Sequence, residues 1–588
     1  MTVVTDEPKA ASAPPPAQSP APRRRRRWRI EPRYLILAVA AVIVAYLALV
    51  PVGTMLVASL QATFLGNGPT SWTFSHYVST FTGSGFGKLV ANSFEYAVAT
   101  AALAVAIGFG LAWLVTRTNT PAKGFARVAA LVPLIIPGIL NTVAWALLFS
   151  PQTGPLNGAL RWAHLPVFDI FSMLGMIFVQ TTHVTPVAYL MGVAAFTSMD
   201  SSLEEAALSS GARPVRVFRT VTLRLIRPAV LSAALLMFIQ TISTFEVPQL
   251  LGVPNHTFVF VSRMYGAIQS FPADYGTVAV IGMFVLFLAA IGLIASQLVV
   301  RRSPTQTVTG KGFRPRETDL GRWRWLAFAA FALFFVVTVV LPLLMLLWSS
   351  LLPTYSPPSL QALKSVSFKN YGTLFSSPSL LGSVKNTAIT ALSAGLIVTV
   401  LTAVVAYITV KTRIRGRSLL DGLATVPIAV PSIVLGVGVL YWYLVAPLPF
   451  HLYGTLTILV IAFVTIGLPY GMRYLQPGIA QINDELEEAA SASGAGWFHA
   501  FRKIYVPLLM PSLLAAFLYT TIVAFREISA AIFLYSQNTN VMSVQIYNLW
   551  SSGDYPVVAA LGILMVVLLT LVVAAVRLVG GRVGLSNH

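Results

Sequence analysis

Cysteine is absent from all 588 residues, which removes disulfides, thiolate nucleophiles and cysteine metal sites. Charge is scarce as well. Charged side chains make up 10% of the chain, against about a quarter in an ordinary soluble domain. Hydrophobic residues reach 56% and the mean hydropathy is +0.77, a balance that excludes a conventional water-soluble enzyme. Motifs for chemistry are missing too. There is no Gly-x-x-x-x-Gly-Lys-Ser/Thr phosphate loop and no serine in a Gly-x-Ser-x-Gly elbow. The seven histidines show no metalloprotease spacing. Gly83-Ser84-Gly85-Phe86-Gly87-Lys88 imitates a phosphate loop, but Thr82 stands at the required earlier glycine and Leu89 follows the lysine. What abounds instead is apolar runs of the length that crosses a hydrocarbon core about 30 Å thick. The chain reads as an all-α polytopic membrane protein.

Twelve spans are expected, near 34–60, 90–116, 127–150, 171–197, 228–252, 275–300, 326–352, 384–410, 419–446, 454–477, 509–535 and 555–576. Such an even number places both termini on one side. Of 39 basic residues, 31 fall on that side, the run Arg23 to Arg27 among them. Opposite loops hold only Lys88, Arg161, Arg263, Lys364, Lys369 and Lys385. Lysine and arginine concentrate on the cytoplasmic side of membrane proteins, so both termini are expected in the cytoplasm. The formal charge of +20 is then a signal of orientation and lipid contact, not of nucleic-acid binding.

An internal repeat fixes the organisation. Leu203-Glu204-Glu205-Ala206-Ala207 recurs as Leu486-Glu487-Glu488-Ala489-Ala490, and eight of the ten positions from 203 to 212 are identical at the offset of 283. Asn92 matches Asn386, and Pro133 and Pro137 match Pro427 and Pro431, at 294; Asp274-Tyr275 matches Asp554-Tyr555 at 280. Loops absorb such drift in offset. The expected organisation has a disordered basic segment at 1–33 and a first six-span half at 34–300, whose repeated loop is 203–224. A cytoplasmic linker at 301–325 follows, then a second half at 326–577, with its loop at 486–507, and a tail at 578–588. The two halves run in parallel.

In each copy the acidic Leu-Glu-Glu-Ala-Ala stretch favours a short helix whose acidic start complements the helix dipole. Gly211 and Gly494 then permit a tight turn. Small alanines let another surface come close, and the glutamates offer it polar contacts. The spacing resembles the cytoplasmic signature of permease subunits of binding-protein-dependent ABC importers: Glu-Ala-Ala, three residues, Gly, nine residues, Ile-x-Leu-Pro. Here it reads Glu205-Ala206-Ala207, Gly211 and Val221-Thr222-Leu223-Arg224, then Glu488-Ala489-Ala490, Gly494 and Ile504-Tyr505-Val506-Pro507. Arg224 departs from the pattern, since the second copy keeps a proline there.

That resemblance implies the type I importer permease fold, as two parallel six-helix repeats in a bacterial inner membrane. It also implies a coupling role for Glu205, Ala206, Ala207, Gly211, Glu488, Ala489, Ala490 and Gly494. Two copies of a separate ATPase would dock there and carry ATP and Mg, leaving this chain without a cofactor, and one external solute-binding protein would deliver the cargo. Fusion of two halves in one chain resembles ferric-iron importer permeases, which makes ferric iron the expected cargo; thiamine permeases share that architecture, and polyamine and phosphonate permeases the broader group, as alternatives. Ionisable residues inside spans are costly and mark candidate pathway groups: Glu95, Glu246, Arg526 and Glu527. They either line the central pathway, with Glu246 and Arg526 facing each other across the pseudo-two-fold axis, or are structural ion pairs or residues near the outer interface. A twelve-span secondary transporter, driven by ions and without an ATPase, is the rival reading.

Overall fold

Inside a hydrocarbon slab an apolar run must satisfy its own backbone polar groups, and a helix does so within one segment. A computed structural model of the chain describes residues 32–62, 71–199, 202–301, 317–446 and 451–582. The expected disordered N-terminal segment up to residue 31, linker residues 302–316 and the last six residues lie outside these. Helices dominate, and the described residues form no sheet, only two isolated bridges.

Eighteen helices carry the architecture and fall into two matching sets. The first set is α1 (Pro32–Leu60), α2 (Phe86–Arg117), α3 (Lys123–Ile135), α4 (Gly138–Leu148), α5 (Met173–Ser198), α6 (Ser202–Ser209), α7 (Pro214–Ile242), α8 (Phe260–Gln269) and α9 (Tyr275–Arg301). The second is α10 (Gly321–Ser350), α11 (Pro378–Lys411), α12 (Arg417–Ala429), α13 (Ser432–Val445), α14 (Leu456–Ala480), α15 (Glu485–Ala492), α16 (Phe498–Arg526), α17 (Met542–Ser551) and α18 (Tyr555–Arg582). Each member of the second set repeats the member nine places earlier.

The expected count of twelve spans is not reached by length and hydropathy. Among the described residues, nine helices are long and apolar enough to cross a membrane, or up to eleven if each of two bent pairs counts as one. The remaining expected span, 171–197, is α5, which is 26 residues long but carries Gln180, Thr181, Thr182, His183 and Thr185.

Spans expected at 127–150 and 419–446 are broken rather than continuous. Helices α3 and α4 meet at 97°, and α12 and α13 at 107°. Proline is the cause. Pro133 and Pro427 sit in tight 3-10 turns, and Pro137 and Pro431 adopt extended ψ angles of 140° and 136° just before the next helix starts. A proline disfavours helical geometry in the residue before it and supplies no N–H of its own.

Spans expected at 228–252 and 509–535 are displaced toward the N-terminus. Their helices run Pro214–Ile242 and Phe498–Arg526, so the residues just after the turns at Gly211 and Gly494 already form the start of a span. Each contains a single π turn, at Phe218–Thr222 and Phe501–Tyr505. These positions are equivalent at the 283 offset, so Arg224 in place of proline leaves the local geometry of the first copy unchanged. The apolar residues 243–252 belong to a buried segment leading to α8. Hydropathy cannot separate such a segment from a span, since both are buried.

The linker expected over 301–325 is shorter than that. Thr318 N–H donates to the Arg117 carbonyl at 2.8 Å, Lys123 pairs with Glu317 at 2.5 Å, and helix α10 follows from Gly321. Asp319 closes this strap. The Gly321 N–H and the Asn119 amide hold its carboxyl below the ordinary range.

Two kinds of contact assemble the halves. Within a half, small residues let helices approach: a Cβ on Gly108 would meet the Ala188 Cβ at 2.8 Å, and one on Gly471 would meet the Thr402 hydroxyl at 2.5 Å. In sequence these are the same crossing of α2 on α5 and of α11 on α14, with the glycine on opposite sides, the close packing that membrane helices favour. Between halves, the first helix of each packs on the broken span of the other. Tyr46 hydrogen-bonds Tyr443 at 2.8 Å, Trp442 donates to Tyr46 at 2.9 Å, and Thr54 donates to the Gly438 carbonyl at 2.9 Å. In the mirrored place Tyr355 donates to the Leu147 carbonyl at 2.7 Å. The halves are interlocked, not merely joined end to end.

Candidate functional site

At the end where Lys and Arg gather, each half presents the same small device. Helices α6 and α15 are eight residues long. Glu205 and Ala206 are exposed and Ala207 is half-buried; Glu488, Ala489 and Ala490 repeat that pattern. Both helices then close identically. Ala212 N–H reaches the Ala207 carbonyl at 3.1 Å, and Ala495 N–H reaches that of Ala490 at 3.0 Å. Between them Gly211 and Gly494 hold φ of +85° and +80°. A six-residue closure of this sort needs a left-handed residue after the helix. A Cβ at either glycine would meet nothing within 4 Å, so backbone conformation rather than space requires glycine there.

The two glutamates of the first copy have different tasks. Glu205 is exposed and makes no hydrogen bond or ion pair among the described residues. Glu204 turns inward, where one oxygen accepts from the Thr222 hydroxyl and the other lies 3.5 Å from Arg117 Nη1. Adjacent helical residues face about 100° apart, which sequence alone does not convert into inward and outward.

Deeper in the protein, the break between α12 and α13 borders a cavity of about 210 Å³ between the halves. Gln240, Ser243, Thr244 and Glu246 line it from the first half, with Pro431, Ser432, Tyr470 and Ser529 from the second. Glu246, Arg526 and Glu527 are half-buried around this region. Glu246 lies against the first residue of α4: a Cβ on Gly138 would come within 2.1 Å of its Oε1 and 3.3 Å of His183 Nε2. A carboxylate at that point complements the positive start of a half-helix. Arg526 does the converse, donating from the second half to the Leu134 carbonyl at 2.7 Å, where α3 ends. Glu527 accepts from the Ala530 N–H at 3.1 Å.

Three of the four expected pathway groups are thus brought together, but as half-helix caps and not as an ion pair. Among the described residues no salt bridge joins them. Glu95 is not brought there: it is exposed on α2 and does not line the cavity. His183 and Tyr470 join this region without having stood out in the sequence, where His183 lies in the polar stretch Gln180 to Thr185 and Tyr470 follows Pro469 in an apolar run. Asn92 and Asn386, matched across the repeat, hold the loops before α8 and α17. Their amides donate to the carbonyls of Phe258 at 3.1 Å and Asn540 at 3.0 Å.

Two interlocked helical halves around a cavity lined by Glu246, each offering a matching short helix with the same Leu-Glu-Glu-Ala-Ala stretch at one end, define a membrane permease of duplicated design. The chain belongs to the family described as binding-protein-dependent transport system inner membrane component, whose profile matches twice, over residues 104–303 and 406–585. It is therefore the permease of an ABC importer, a non-enzymatic transport component and a multi-pass inner-membrane protein. Among its relatives, the ferric transport system permease protein FbpB of Actinobacillus pleuropneumoniae is 25% identical over 497 residues, covering 83% of this chain and 70% of that protein. A putative ferric transport permease of Haemophilus influenzae is 26% identical over 464 residues, covering 78% and 72%. A crystal structure of a bacterial transporter importing the acidic polysaccharide alginate aligns with a TM-score of 0.38 at 20% identity, over 46% of this chain and 97% of that one.

Proposed function

We propose that this permease passes ferric iron, delivered by an external binding protein, and that two copies of a separate ATPase drive it from the cytoplasm. One observation carries the coupling part of this reading: Glu205-Ala206-Ala207 and Glu488-Ala489-Ala490 are displayed alike, on helices closed by the same left-handed glycine turn. On this reading both termini lie in the cytoplasm, and ATP and Mg are held by the ATPases. Closure of the ATPase pair draws the two coupling helices together, and the interlocked halves then exchange inward and outward openings, a rigid-body transition biased by nucleotide and by the loaded binding protein.

For the cargo, support comes from the two relatives named as ferric transport permeases, each aligned over more than three quarters of this chain. Iron is here a solute in transit. Glu246 faces the cavity as a hard oxygen donor of the kind that suits a highly charged cation. The deciding experiment reconstitutes the permease with its ATPases and binding protein in vesicles and measures uptake. ATP-dependent accumulation of ferric iron is expected. A binding protein that retains thiamine, a polyamine or a phosphonate instead would replace iron as cargo, and uptake without ATPase or nucleotide would restore the ion-driven reading.

Glu246→Gln keeps the shape of the side chain and removes its charge. Uptake is expected to fall by about tenfold, equivalent to roughly 1.4 kcal/mol on the transport barrier, with unchanged protein in the membrane. Quantitative uptake beside an immunoblot checks this, and wild-type kinetics would take Glu246 out of the pathway.

A further inference from the structure

Helices α2 and α11 each end in a buried base, Arg117 and Lys411, separated by the same 294 positions as Asn92 and Asn386. Their positions near a loop invite a reading as orientation signals. Their surroundings do not fit that role. Arg117 is 2% exposed. Its Nη2 donates to the carbonyls of Phe196 at 2.8 Å and Met199 at 2.9 Å, and its Nη1 approaches the Glu204 carboxylate at 3.5 Å. The Lys411 side chain is 8% exposed. It donates to the Ile482 carbonyl at 2.5 Å and to the Asp484 carboxylate. Met199 and Ile482 are equivalent at the 283 offset, so both bases grip the same carbonyl just ahead of the coupling helix.

The physical basis is plain. Carbonyls at the end of a helix lack intrahelical partners and carry partial negative charge, and a cation there satisfies both. Hydrogen bonds with a charged partner are roughly twice as strong as neutral ones. A second contact is repeated beside the first. One turn before each base, Trp113 and Tyr407 pack edge-on against Phe218 and Phe501, at 5.4 and 5.7 Å between ring centroids. Those phenylalanines open the π turns of α7 and α16, and in the first half Glu204 joins the same turn through Thr222. The end of α2 therefore holds the exit of α5, the start of α6 and the start of α7 together; α11 does the same for its half.

We infer that Arg117 and Lys411 are positioning residues that transmit displacement of the coupling helices into the spans. This rests on the coupling role proposed above. With the base in place, a pull on α6 or α15 moves α2 and α5, or α11 and α14, as one body. Without it the short helix swings on its flanking chain and the spans stay behind.

Arg117→Met and Lys411→Met retain a long unbranched side chain and remove the charge. In the complete complex with ATPases and loaded binding protein, each variant is expected to assemble and hydrolyse ATP at the basal rate. Stimulation by the binding protein, and solute imported per ATP, should fall about tenfold, within the span typical of coupling between sites. Lys411→Arg should restore both. If the Met variants fail to assemble, Arg117→Lys decides, because it keeps the charge but loses the fork: a several-fold drop in solute per ATP supports the inference. A wild-type ratio of solute to ATP in Arg117→Met and Lys411→Met, or in Arg117→Lys where those do not assemble, overturns it. Absence of ATPase binding by the unmutated permease would instead overturn the coupling reading itself.

Discussion

Glu205→Lys combined with Glu488→Lys is expected to reach the membrane at the wild-type level and to have lost both uptake and ATPase docking. Among the described residues neither glutamate has a partner that the change would strand, and both are exposed. Nor does the change oppose insertion, since added lysine on the basic face follows the orientation bias. What it attacks is the contact with another protein. Removing a charge-paired contact at an interface costs roughly 2 kcal/mol or more, and two such losses weaken docking by about a thousandfold. A lysine in the first turn also sits badly against the helix dipole. Each single variant keeps one intact coupling helix and should fall between the extremes. Co-purification of the ATPase and uptake per cell, normalised to membrane protein, give the answer. Normal uptake in the double variant would remove the coupling assignment.

The sequence made this prediction possible because the docking device is local. Eight matching residues in ten, the turn glycine among them, encode a helix and its closure without help from the rest of the fold. Tertiary partners are another matter. Glu204 and Glu205 look interchangeable in the chain, and only tertiary partners, Thr222 and Arg117, the latter 87 positions away in sequence, turn one of them inward. Arg117 and Lys411 themselves read as topology charges, although the 294 offset already aligned them. The prolines at 133, 137, 427 and 431 marked where spans are shaped, yet a hydropathy window is blind to a bend of 97° or 107°, because both arms remain apolar. The same blindness moved the fifth span of each half, since residues 243–252 are buried by protein instead of lipid. Glu246, Arg526 and Glu527 were legible as costly charges in apolar surroundings, but not as caps of broken helices. That role depends on breaks the hydropathy pattern does not contain.

Interlocking of the halves leads to the other large effect, at a residue with no polar side chain. Gly438 on α13 faces Pro51 on α1, and a Cβ there would lie 2.2 Å from the Pro51 carbonyl oxygen and 2.8 Å from its carbon. These atoms are backbone, so no rotamer change makes room; the helices themselves must separate. Thr54, which donates to the Gly438 carbonyl at 2.9 Å, would lose that bond as they part. Overpacking a close contact usually costs about 1–3 kcal/mol, and Gly438→Val should reach the upper end of that range or exceed it. Gly53, on the same helix α1, supplies the control. A Cβ there meets nothing within 4 Å, and replacing a mid-helix glycine by alanine gains roughly 0.5–1 kcal/mol. The two variants should therefore shift thermal unfolding of the purified protein in opposite directions, Gly438→Val downward and Gly53→Ala level or upward. Because α1 belongs to one half and α13 to the other, uptake should fall with Gly438→Val even below its unfolding temperature. Unfolding of Gly438→Val at the wild-type temperature would mean that the first helix does not clamp the opposite half.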